Sequence, residues 1–87
     1  MSGDLYRKAM QVMVGQSTRK AVFTSIAFLA FDDNRCLASD DEIAGLYGYS
    51  VRTVRKHLKA LISDGFVKVS NERGYRVLTL VFDVEGL

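Results

Sequence analysis

The sequence predicts an α+β fold, mostly helical, with a three-helix core, an extra N-terminal helix and a C-terminal β-hairpin. Three observations predict it. Residues 39–63 hold two helical patterns separated only by Gly48, Tyr49 and Ser50. A nearly continuous apolar run, Ala21–Phe31, precedes them, and two alternating segments joined near Gly74 follow them. A chain of 87 residues supports one hydrophobic core and not two. With 48% apolar residues and no proline, it has the composition of a folded domain. Residues 1–16 are expected to form an N-terminal helical arm, and residues 17–87 the main domain.

In the arm, Leu5, Ala9, Val12 and Met13 fall at helical spacing over Asp4–Met13, opposite Arg7, Lys8 and Gln11. Gly15 and Gln16 interrupt it. Ser17 or Thr18 then caps a helix ending near Phe31, apolar around almost its whole circumference, which suits a central helix. Its Phe side chains also suit a homodimer contact, made through Asp4–Met13 and Ser17–Phe31. Asp32, Asp33 and Asn34 predict a turn, and Arg35–Ala38 a short extended segment that suits a small strand.

Ser39 and Glu42 have the spacing of a capping box, in which each side chain serves the other's backbone N–H. Asp40 and Asp41 place negative charge in the first turn, where the helix dipole favours it. Ile43, Ala44, Leu46 and Tyr47 supply apolar contacts, and small Ala44 lets another helix cross closely. Gly48 follows where the chain must take positive φ. Ser50 caps the next helix, 50–63, which ends at Asp64-Gly65. Val51, Val54, Leu58, Leu61 and Ile62 project to one side of this helix, and Arg52, Arg55, Lys56, Lys59 and Ser63 to the other. Thr53 and His57 lie on the borders. Phe66–Val69 and Tyr75–Phe82 alternate as strands, with Ser70–Gly74 as the tight connection.

The basic side of helix 50–63 is the main functional signal. Arg52, Arg55, Lys56 and Lys59 fall within eight residues with no acid among them. An ordinary solvated helix face interleaves acids with its bases. A cationic rod of this width fits the major groove of DNA. Arg52 is the first choice for a base contact, with Lys56 one turn on. Arg55 and Lys59 are placed on flanking phosphates, and the hydroxyls of Ser50 and Thr53 near a phosphate at the helix start. Arg73 at the hairpin tip and Arg76 beside it are the remaining candidates.

These motifs, the E-I-A helix start, the G-Y-S turn, the T-V-R-K-H-L helix, the L-I-S-D-G-F-V helix end and the hairpin after it, resemble the winged helix-turn-helix superfamily of DNA-binding domains. The likeness is to bacterial and phage transcription regulators and to plasmid or phage replication proteins, and it spans Ser17–Phe82. It implies sequence-specific binding of double-stranded DNA, with helix 50–63 in the major groove and wing 70–76 on the backbone or minor groove. Glu72 departs from the pattern, since an acid at a wing tip opposes phosphate; it either weakens that contact or orients Arg73.

Charge and motif content narrow the function classes. The net charge is only +2, but the acids cluster before the Gly48 turn and the bases after it, which makes one basic surface. No P-loop, no G-x-G-x-x-G and no paired Cys or His is present, so neither catalysis nor a metal or other cofactor is expected. His57 has no motif-placed catalytic partner. Cys36 is the single cysteine and reads as a small buried hydrophobe. The apolar run Ala21–Phe31 is too short for a bilayer, and no signal peptide is visible, so the chain is expected to be cytoplasmic. Transcription regulation is the first reading. The alternatives are a replication initiator or recombination factor, or a winged helix that contacts another protein.

Overall fold

The computed structural model describes residues 17–81, together with Arg7 and Ala9. Its elements are α1 (Ser17–Leu29), β1 (Arg35–Cys36), α2 (Asp40–Tyr47), α3 (Val51–Ser63), β2 (Val67–Glu72) and β3 (Tyr75–Leu80). Arg7 and Ala9 are helical, and Ala9 is fully buried. The rest of the expected arm, and Phe82 onward, lie outside the described residues.

Most of the apolar circumference of α1 is covered by its neighbours, since it packs against α2, α3, β1 and β3, while Phe28 stays exposed. Val22, Phe23, Ile26 and Ala27 are buried within it. Its polar members do not disturb this, because Thr24 and Ser25 donate their hydroxyls to the Ala21 carbonyl at 3.0 and 2.7 Å. The Phe23 ring meets Phe66 edge-on, with centroids 6.0 Å apart. From the other elements Ile43, Ala44, Val54, Leu58, Leu61, Val67, Leu78 and Leu80 complete the core. The helix stops at Leu29, short of the expected Phe31. The Phe31 N–H is instead given to the Arg35 carbonyl at 2.9 Å, which closes the turn into β1.

The caps form as their residue types dictate. Ser39 Oγ accepts from the Glu42 N–H at 3.2 Å, and the Ser39 N–H donates to Glu42 Oε1 at 3.0 Å. Gly48 ends α2 in the left-handed region at φ 73°, which turns the chain directly into α3. Ser50 Oγ accepts from the Thr53 N–H at 3.1 Å. Gly65, at φ 86°, follows the end of α3.

The sheet has the order β1-β3-β2, antiparallel throughout. Arg35–Cys36, within the short extended segment expected at Arg35–Ala38, forms a small strand that pairs with Thr79 and Leu78. In the hairpin, β2 runs on to Glu72, and Glu72 pairs with Tyr75. The connection is therefore Arg73-Gly74 alone, both at positive φ (54° and 82°), and not the whole of Ser70–Gly74. Positive φ at both central residues matches the twist of the flanking strands. Residues 70–72 carry no strand signal in the sequence because β2 is an edge and every residue after Val67 is exposed, so no apolar alternation marks them.

Candidate nucleic-acid interface

α3 buries Val54, His57, Leu58 and Leu61, and leaves Arg52, Arg55, Lys56 and Lys59 exposed. The division follows the helical projection except at His57, expected on the border and only 4% exposed. α1 packs against α3 and brings the charge of Arg19 to bear on the His57 ring. Its Arg19 reaches over to Asp64 at the C-terminal cap of α3, at 3.9 Å.

An open groove runs along the outer side of α3. Arg52, Arg55, Lys56 and Lys59 line it together with Leu58 and Ile62 of the same helix, Arg76 from β3 and Asp40 from α2. Five of the eight residues singled out from the sequence thus meet in one concavity. Ser50 and Thr53 stand at the start of α3 and are already engaged with each other, since Ser50 Oγ donates to Thr53 Oγ1 at 3.0 Å. Arg73 is exposed at the hairpin tip.

Asp40 is the functional-site residue that sequence reasoning missed. Its side chain is 16% exposed and is held by two arginines from other elements. Arg76 Nη1 donates to Oδ1 at 2.6 Å, and Arg55 Nε donates to Oδ2 at 3.1 Å. Arg76 also gives Nη2 to the Ala38 carbonyl at 2.9 Å, so both of its terminal nitrogens are used within the protein. Arg55 remains open, with 69% of its side chain exposed. No local pattern links Asp40 to partners 15 and 36 residues away, and its place in the first turn of α2 is already explained by the helix dipole. Glu72 is likewise paired across the sequence, with Arg35, and not with Arg73. The acid near the wing tip is thereby matched by a cation.

Two titrating groups give this arrangement a pH signature. Burial pushes the His57 imidazole below its ordinary 6.5, and the charges of Arg19 and Lys56 push the same way. Burial alone would raise Asp40, but the hydrogen bonds and charges of Arg76 and Arg55 outweigh it and hold the carboxyl below 3.8. In both cases the unfolded chain takes up a proton at a higher pH than the folded chain. Stability is therefore complete above the unfolded value and is lost as pH falls, first below 6.5 for His57 and then below 3.8 for Asp40. The urea midpoint is expected to be level near neutral pH and to decline as pH falls to about 5. His57→Gln should flatten that first decline; an unchanged decline would assign it to other groups. Cys36, fully buried, has its thiol pushed up by burial, with only partial opposition from the Ala38 backbone and Arg76, which is the opposite of an activated cysteine.

A family model described as a helix-turn-helix domain matches residues 17–67, more than half of the chain. The chain belongs to the helix-turn-helix domain family. The match takes in α1, the α2–turn–α3 unit and the first residue of β2, and membership points to DNA binding. Three helices followed by the antiparallel β2–β3 hairpin make this helix-turn-helix consistent with a winged helix. Comparisons with curated proteins and with solved structures returned no match. Among the described residues no helix is long and apolar enough to cross a membrane, and no cluster of His, Cys, Asp or Glu is arranged to hold a metal ion.

Proposed function

We propose that this helix-turn-helix chain binds double-stranded DNA sequence-specifically as a transcription regulator in the cytoplasm, by placing α3 in the major groove. The observation that carries the reading is the outer side of α3, where Arg52, Arg55, Lys56 and Lys59 are exposed along one groove while the opposite side is anchored in the core. Arg52, near the helix start, reads a base, and Lys56 reaches the next base or phosphate. Lys59 takes a flanking phosphate, and Ser50 and Thr53 meet another at the helix N-terminus. The hairpin lies on the same side, since Asp40 joins Arg55 of α3 to Arg76 of β3. Arg73 extends toward the backbone or minor groove, and Arg76 adds positive potential from its fixed position. A second copy joined through α1 would set two recognition helices about one DNA turn apart, and the preferred site would be a palindrome.

A salt titration of binding to duplex DNA tests the reading. Contact with four or five phosphates predicts a slope of log K against log salt of about −4. Selection from a random pool is expected to return one recurrent motif. Affinity that does not change with salt, or no affinity, would leave the basic groove as a surface for an acidic protein instead.

A further inference from the structure

Arg55 is gripped in a way that a simple phosphate contact does not require. A flexible, solvated arginine reaches a phosphate without help, because the attraction is long-ranged and tolerant of angle. Here the side chain is mostly exposed, yet its Nε–H is fixed on Asp40 Oδ2. Asp40 is itself immobilised from the other side by Arg76, which is tied in turn to the Ala38 carbonyl. The anchor is thus built from α2 and β3 before α3 contributes to it. Holding a guanidinium by Nε sets its plane and leaves the edge formed by Nη1 and Nη2, which makes no hydrogen bond among the described residues. That edge carries the two parallel donors that match O6 and N7 of guanine. Two arginines around one carboxylate still leave a net positive charge, so the groove keeps its attraction for DNA.

We propose that Asp40 is a positioning residue that holds Arg55 so that its terminal edge reads a guanine in the major groove, making Arg55 a specificity-determining residue and not only a phosphate contact. The inference rests on the DNA-binding reading and deepens it. It differs from a mere brace for the fold, which would affect stability but not the choice of base.

The test uses the wild-type chain, Asp40→Asn and Arg55→Lys. Each is put through selection from a random duplex pool, and its affinity is measured for the wild-type preferred duplex and for a random duplex of equal length. The wild-type chain is expected to show a preference that includes a G·C pair. Asp40→Asn removes a negative charge from the groove, so it should bind random duplex more tightly while its preference for the selected duplex falls by about tenfold or more. Arg55→Lys keeps the charge and the fold but loses the planar fork. It should lose preference at the same G·C position, read as the ratio of its affinities for the selected and the random duplex. Thermal unfolding of both variants separates a folding defect from a reading defect. Wild-type preference at every position in Arg55→Lys would overturn the proposal while leaving DNA binding intact. Absence of any DNA affinity in the wild-type chain would overturn both, and the two failures are distinct.

Discussion

Replacing Arg52 and Lys56 together by glutamate is expected to lower affinity for duplex DNA by at least about a hundredfold while leaving the unfolding midpoint almost unchanged. Both side chains are exposed on the groove side of α3, and no ion pair holds either of them among the described residues. A bidentate arginine–guanine contact is worth about 1–3 kcal/mol, and each lost phosphate contact removes a further part of the salt-dependent affinity. Two new acids beside Asp40 would repel the DNA backbone in addition. Exposed substitutions away from caps and core contacts change stability by only about 0.5 kcal/mol. The variant should therefore fold, show an ordinary denaturation curve and fail in an anisotropy titration. A variant that folds and binds as wild type would remove α3 from the interface.

Phe23→Ala is expected to cost about 3–5 kcal/mol, the largest loss from a single side chain in this domain. Phe23 is fully buried on the central helix and meets Phe66 edge-on, at the point where α1 is closed over by the start of the hairpin region. Domains of this size are stable by only about 5–10 kcal/mol, so the midpoint of thermal unfolding should drop by roughly 15–30 °C. DNA binding should fall with it, because α3 is held in place by the core that Phe23 fills. Phe31→Ala provides the contrast. Phe31 is 55% exposed, just beyond the end of α1, and its removal should cost about 0.5 kcal/mol or less. Equal losses at the two positions would mean that the exposed face of this region is as tightly packed as the core.

The parts of the structure that follow from neighbouring residues were legible in the sequence. The Ser39–Glu42 capping box, the left-handed Gly48, the Ser50 cap and Gly65 all form where their residue types place them. Each is a contract between residues a few positions apart, and backbone geometry enforces it. The basic and apolar sides of α3 were legible for the same reason, since a helix converts spacing into direction. His57 shows where that reasoning ends. Its angle on the helix puts it at the border, but whether a border residue is covered depends on the elements that pack against α3, which the helix's own spacing does not specify.

The ion pairs were illegible altogether. Asp40 with Arg55 and Arg76, and Glu72 with Arg35, join residues 15 to 37 positions apart, and many other acids and bases would have matched equally well by charge. Arg76, an expected DNA contact, has its guanidinium bound to Asp40 and Ala38, so its reach is limited and its charge is what it offers. Arg55, expected on a flanking phosphate, is the α3 arginine that an acid holds among the described residues.

The most direct test of DNA binding through α3 is a solution NMR titration of the isotope-labelled chain with a duplex containing its selected site. Backbone and arginine side-chain signals should shift along 50–59 and at the hairpin tip around Arg73, while the buried residues of α1 stay in place. Shifts centred on Phe28 to Leu37, with the signals of Arg52, Arg55 and Lys56 unmoved, would show that the chain uses a different surface and that the basic side of α3 is not what touches DNA.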